Sequence, residues 1–174
     1  MALVRILVDG YNLLGFIQSQ GQFRSKEGCG LLHQWPELAE GAARHSEAAR
    51  DALVEMLAQY EDASGTPITV FFDGVGARRG KPRNQAGGSV EVIFSSSGQT
   101  ADDLIERAAH RFQDYGEVLV VTDDFAERNI VGGFGGSVAS CANFIGMIRD
   151  ALGHLAEDLN RHNQSEHRRY YRSK

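Results

Sequence analysis

Apolar residues along this chain fall into two kinds of run. Short, unbroken, β-branched-rich runs alternate with longer stretches in which apolar residues recur at helical spacing. Leu3–Val8, Ile68–Phe72, Val90–Phe94 and Val118–Thr122 are of the first kind and predict strands. Ile68–Phe72 has no polar alternation, which predicts burial on both faces, as in a parallel sheet. The second kind begins at Ser46, where Leu53, Met56, Leu57 and Tyr60 follow the i, i+3, i+4, i+7 pattern until Ser64-Gly65-Thr66-Pro67 ends it. A further helix opens at Thr100, with Asp103 three residues on as a capping-box partner and Leu104, Ile105, Ala108 and Phe112 as its stripe. A short helix over Phe125–Val131 leads into the glycine cluster 132–136. A last helix is expected from Val138 to Asn160, with Phe144, Ile148, Leu152, Leu155 and Leu159 along one side. Between Gly10 and His45 the periodicity is weak and glycines are frequent, which predicts mostly loop. Strands alternating with helices predict an α/β fold with a mostly parallel sheet and helices on both faces.

Three of these strands end in aspartate. Val8 leads to Asp9, Phe72 to Asp73, and Thr122 to Asp123 and Asp124; a fourth acidic spot, Asp102 and Asp103, opens the helix at Thr100. In an open α/β sheet the carboxyl ends of the strands line one edge, where ligands bind. Clustered carboxylates repel one another unless protonated or neutralised by a cation, and an all-oxygen donor set suits Mg²⁺ or Mn²⁺. The pattern therefore predicts a metal-dependent site for phosphoryl chemistry. Helical geometry separates the adjacent pair, with Asp102 on the flank of the apolar stripe and Asp103 nearly opposite it. Asp103 also has a purely structural use in the first helical turn. Asp73 can be a turn former before Gly74, and one of Asp123 and Asp124 can cap the short helix while the other binds. Asn12 can hydrogen-bond Asp9 or face metal-bound water.

Composition sharpens the choice of partner. The net charge is −5, yet residues 75–88 carry Arg78, Arg79, Lys81 and Arg83 with no acid, +4, and residues 161–174 carry another +4. Taking both +4 stretches from −5 leaves −13 on the rest, an acidic body with two basic appendages. Such appendages can hold a polyanion beside an acidic, metal-screened site. Arg168 and Arg169 beside Tyr170 and Tyr171 suit phosphate contact and stacking with single-stranded RNA. The residues thus divide into a body, 1–160, and a basic, flexible C-terminal tail, 161–174. Cys29 and Cys141 form no metal-ligand spacing, and the six histidines show no paired ligand motif. No apolar run approaches the roughly 18 residues of a membrane span, and the N-terminus lacks a signal-peptide layout, so no membrane partner and a cytoplasmic location are expected.

Three groups of residues together resemble a known family. They are Leu7-Val8-Asp9-Gly10-Tyr11-Asn12-Leu13-Leu14; Trp35-Pro36-Glu37-Leu38 with Ala48-Ala49-Arg50-Asp51-Ala52-Leu53; and Val90–Phe94, Thr100–Arg107 and Val120–Asp124. Their order and spacing resemble the YacP-type NYN domain of the PIN-like nucleases. The resemblance implies a PIN-like three-layer α/β sandwich and a metal-dependent endoribonuclease leaving 5′-phosphate and 3′-hydroxyl ends. It further implies single-stranded mRNA as substrate, with the ribosome as a partner of some relatives. Carried over, the site acids are Asp9, Asp102 and Asp124, with Asn12 accompanying Asp9, Asp103 beside Asp102 and Asp123 before Asp124; Asp103, Asp123 and, from its strand-end position, Asp73 are further metal candidates. Residues 16–34 resemble an insertion relative to other members. Two other readings remain at this stage: a non-catalytic RNA- or ribosome-binding module, and a small-molecule phosphatase. The second lacks support, because a haloacid-dehalogenase-type enzyme needs Asp-x-Asp after its first strand and Tyr11 stands there instead.

Overall fold

The computed structural model describes residues 2–19, 34–39, 46–74, 89–96, 98–133 and 135–172. Five strands, β1 (Leu3–Asp9), β2 (Ile68–Phe72), β3 (Glu91–Phe94), β4 (Glu117–Val121) and β5 (Ser137–Ala139), form one sheet in the order β3-β2-β1-β4-β5. Every pairing is parallel. β1 is central because its residues are apolar on both sides, with Ile6, Leu7 and Val8 all buried. The chain builds outward from β1 through β2 to β3, then crosses to β4 on the other side of β1. That reversal places a crevice between the carboxyl ends of β1 and β4.

Side-chain alternation sorts the strands into two cores. Ile6, Val8, Ile68, Val70, Phe72 and Val92 face one layer, which holds α1 (Gly10–Ser19), α2 (Pro36–Ala39), α3 (Glu47–Ser64) and α6 (Cys141–Arg172). Leu7, Phe71, Val118 and Val120 face the other, with α4 (Ala101–Phe112) and α5 (Phe125–Gly133). The result is a three-layer sandwich. Helix starts follow local chemistry. Ser46 caps α3 by accepting from the Ala49 amide, and Gly65 ends it in the left-handed region at φ 69°. Thr100 and Asp103 close the expected capping box on α4.

Three sequence expectations need correction. The stretch after β1 is not loop from Gly10: α1 forms there, because Gly10, Leu13, Leu14 and Ile17 make a buried i, i+3, i+4, i+7 stripe. Of the segment 16–34 read as an insertion, residues 16–19 belong to α1, and residues 20–33 lie outside the described residues. The last helix does not begin at Val138; Ser137–Ala139 pairs with β4 as β5 and α6 starts at Cys141. Nor does α6 stop at Asn160. No glycine or proline follows to break it, and it continues to Arg172, so the boundary expected at 160 falls inside this helix. Phe144 and Ile148 of its stripe are buried, whereas Leu155 and Leu159 are exposed. Among the described residues, no helix is long and apolar enough to cross a membrane.

Candidate metal centre

From Arg5 on, odd-numbered positions of β1 face the layer of α4 and α5, and Asp9 is the last of them. Its carboxylate therefore leaves the sheet edge toward the start of α4, which carries Asp102, and toward α5, which carries Glu127. Oxygens of Asp9, Asp102 and Glu127 lie within 4.8 Å of one another. Gly10 is required next to Asp9, because a Cβ there would collide with the Phe72 ring. The chain can then turn straight into α1, and Asp9 Oδ1 accepts from the Asn12 amide at 3.0 Å. Burial pushes the Asp9 carboxyl up to about 6, the Asn12 amide opposes that shift, and the charges of Asp102 and Asp73 add to it.

Glu127 is the residue that sequence reasoning missed. It sits on the inner face of α5 with Val131, one turn on, and is only 4% exposed. Neither of its oxygens has a hydrogen-bond partner among the described residues. Burial pushes its carboxyl up to about 7, with the charges of Asp9, Asp102 and Asp124 contributing; the nearby Thr122 side chain favours the anion without making a well-formed bond. The spacing Asp124-Phe125-Ala126-Glu127 reads as a capping box, in which the glutamate returns to the cap amide. Here the Asp124 amide donates to Thr122 Oγ1 at 3.0 Å instead, so Glu127 has no capping duty. An acid sharing a helical face with buried Val131 was the available signal.

Asp102 is exposed on the first turn of α4, and its carboxyl is raised by partial desolvation and then by Asp124, Asp73 and Asp103. The other predicted acids are brought to the same edge but employed differently. Asp103 accepts from the Thr100 amide at 3.0 Å, a bond that holds its carboxyl below the usual range, so it faces away from the cluster as a cap. Asp73 Oδ1 takes the Ala101 amide at 2.7 Å and the Ser95 hydroxyl at 3.4 Å, fastening the start of α4 to the end of β2. Asp124 Oδ1 caps α5 through the Ala126 and Glu127 amides at 2.7 and 3.2 Å. Asp123 Oδ1 accepts from the Cys141 amide at 3.0 Å at the start of α6. Asn12 lies at the same edge and links its elements. Its Oδ1 accepts from the Asp123 amide at 3.0 Å and from the Cys141 thiol at 3.3 Å, pinning the turn after β4 to α1.

The donor set fits a hard divalent cation. Among the described residues it offers carboxylate oxygens alone, and one carboxylate, that of Glu127, is buried there without a partner, a group that a proton or a cation would satisfy. Arg78, Arg79, Lys81 and Arg83 lie outside the described residues; Gly74 and Ser89, which bound their segment, stand near the carboxyl and amino ends of β2 and β3 respectively. Arg168 and Arg169 lie in the last turns of α6, remote in sequence from its buried start.

Comparison with known proteins bears on the family and the fold. A family model of the YacP-like NYN domain matches residues 6–174. YacP of Bacillus subtilis strain 168 is 31% identical over 131 residues, which span 75% of this chain and 66%, just under two thirds, of that protein. The crystal structure of a mutant of Rae1 (YacP) from Bacillus subtilis superposes with a TM-score of 0.67 at 25% identity, covering 93% of this chain and 85% of that one. A second Rae1 (YacP) crystal structure gives 0.64 at 22% identity, over 95% and 84%. The α/β, PIN-like architecture expected from the sequence is the one found, with a sheet that is parallel throughout.

Proposed function

Because the chain belongs to the YacP-like NYN family, we propose that it is a metal-dependent endoribonuclease hydrolysing phosphodiester bonds of single-stranded RNA. One observation carries the reading: Glu127 is a buried carboxylate without a hydrogen-bond partner among the described residues, turned toward Asp9 and Asp102. A stability role does not account for it, since an unpaired buried acid costs several kcal/mol when ionised. A cation-binding role does.

Asp9, Asp102 and Glu127 would hold Mg²⁺ or Mn²⁺, with Asp124 beside them. A divalent ion there supplies Lewis-acid stabilisation of the phosphate and a nucleophilic water. The protein's own groups then do the positioning. Asp73 ties α4, and hence Asp102, to β2. Asp124 ties the first turn of α5, and hence Glu127, to the end of β4. Asn12 ties α1, the helix that follows Asp9, to the same turn. Each ligand is thus fixed by a hydrogen bond from a separate element, which keeps the donors in place before any ion binds. Arg78, Arg79, Lys81, Arg83, Arg168 and Arg169 are assigned to the RNA backbone, where contacts position the strand without reading its sequence. The ribosome is the proposed setting for mRNA cleavage in a cell.

The test is cleavage of an end-labelled single-stranded RNA with Mn²⁺ or Mg²⁺, comparing wild type with Asp9→Asn and Asp102→Asn. Metal-dependent cutting that both substitutions abolish is the expected result. Activity that persists in EDTA sinks the metal assignment. If folded wild type cuts neither free RNA nor RNA under translation, the protein is a binding module instead.

A further inference from the structure

We propose that a cavity on the opposite face of the same sheet edge receives one unpaired guanine of the RNA. This rests on the ribonuclease reading above and names a base that it would select. The cavity, about 90 Å³, lies at the carboxyl ends of β2 and β3, beneath the start of α3. Phe72, Val92 and Phe94 are even-numbered strand positions, so they face α3, whereas Asp9 faces α4 and α5. An RNA strand crossing the edge of the sheet can therefore leave a phosphate at the carboxylates and turn a neighbouring base into the cavity.

Its lining has the chemistry of a base pocket. Val54, Val92, Phe72 and Phe94 make apolar walls, and Phe72 and Phe94 stack at 5.5 Å with their planes 26° apart. The mouth is polar, with Arg50 between two carboxylates of the same helix, Glu47 and Asp51. The Arg50 guanidinium carbon lies 5.9 Å from the Phe94 centroid. Flat apolar walls with a few convergent polar groups are how single-stranded RNA bases are held. The mixed charge selects among bases. Guanine presents two adjacent acceptors, O6 and N7, which fit a guanidinium fork. It also presents two adjacent donors, N1–H and the 2-amino group, which fit one carboxylate in bidentate fashion. Adenine sets an amine beside N7 and so offers the guanidinium a donor where it needs an acceptor.

Tyr11 joins the cavity to the metal centre. Its backbone amide serves Asp9, its ring meets Phe72 edge-on at 5.1 Å, and its hydroxyl accepts from Arg50 Nη1 at 3.3 Å. A base seated against Arg50 thus presses on the residue beside the metal-binding aspartate.

The experiment measures binding of guanosine 5′-monophosphate to the full metal-free chain, beside the adenosine, cytidine, uridine and inosine monophosphates. Guanosine monophosphate should bind about 10- to 100-fold tighter than the others. Inosine, which lacks only the 2-amino group, should lose most of that advantage. Glu47 and Asp51 are exposed, so the double variant Glu47→Gln, Asp51→Asn should melt like wild type and lose the preference. Arg50→Lys, which keeps the charge but not the fork, should lose it too. Equal binding of all five nucleotides, or a preference that survives both variants, overturns the subsite. The two readings fail separately. Metal-dependent cleavage with no guanine effect on KM or on nucleotide binding removes the subsite alone. Selective nucleotide binding by a protein that cuts no RNA removes the nuclease and leaves the subsite.

Discussion

Asp102 and Asp103 are neighbours in the first turn of α4, and their surroundings are opposite. Asp103 is met by the Thr100 amide and held ionised. The Asp102 carboxylate makes no hydrogen bond among the described residues, and the charges that act on it are those of Asp124, Asp73 and Asp103. The contrast extends across the sheet edge. Asp73, Asp123 and Asp124 each accept from the amide of a helix start, an arrangement worth about 1 kcal/mol apiece. Asp9, Asp102 and Glu127 converge on one another. On the far side of the fold, where Arg5 faces α4's Phe112, the chain does supply a counter-charge: Arg5 Nη1 lies 3.2 Å from Glu91 and 2.7 Å from the Thr69 hydroxyl. The fold can pair its charges where stability is all that is asked. Among the described residues it leaves a trio without a counter-charge at the switch point of the sheet, which is where an external cation would complete it.

The sharpest way to break this contrast is to remove Glu127. Glu127→Gln keeps the size of the side chain and deletes a buried anionic donor. RNA cleavage in Mn²⁺ should fall on the order of 100-fold or more, with weaker Mn²⁺ binding by titration calorimetry. Unchanged cleavage and unchanged Mn²⁺ affinity would mean that Glu127 is a structural acid and that the aspartates alone form the site.

The difference between the two carboxylate groups was only half legible in the sequence. Strand-end positions alone announce Asp9 and the β4 acids, because parallel topology makes a strand's last residue an edge residue. The periodicity of α4 separates Asp102 from Asp103 correctly. The bonds that occupy Asp73 and Asp123 were not legible, because their partners, Ala101 and Cys141, are 28 and 18 residues away and meet them only once the sheet exists. Glu127 was hidden by its own spacing, which imitates a capping box. α1 was hidden by Gly10 and Gly15, which lower helix propensity although both are buried where the helix packs closely. β5 is three residues after a glycine cluster and carries too few positions for any period to show.

Acidity gives a second, smaller test on the metal-free protein. Asp9 and Glu127 have folded-state carboxyls near 6 and 7, raised from 3.8 and 4.5. Across that window the unfolded chain has released protons that the folded chain still holds. Stability is therefore greatest below the unfolded values and falls as pH rises through the folded ones, by on the order of 1–3 kcal/mol after solvent screening. Denaturant melts in EDTA from pH 4.5 to 7.5 should show this fall, once the remaining titrations are subtracted by repeating the series on Glu127→Gln. Saturating Mn²⁺ at pH 7.5 should restore the loss by binding the folded state. A wild-type curve that parallels the variant would show that Glu127 ionises without cost.

The smallest effect belongs to the partnered group, and it tests the contrast from the other side. Asp103→Ala removes one half of the α4 capping box while Thr100 keeps its bond to the residue-103 amide at 3.2 Å. The substitution should lower stability by about 1 kcal/mol, read as a shift of the denaturant midpoint without a change of slope. Alanine is a good helix former, so the rest of the turn carrying Asp102 should stay in register. Mn²⁺ affinity and metal-dependent cleavage should then stay close to wild type. A large loss of Mn²⁺ binding at unchanged helix content would put Asp103 among the ligands, and the division of this edge into capping carboxylates and carboxylates that converge on one another would be wrong at the position where adjacent residues make it clearest.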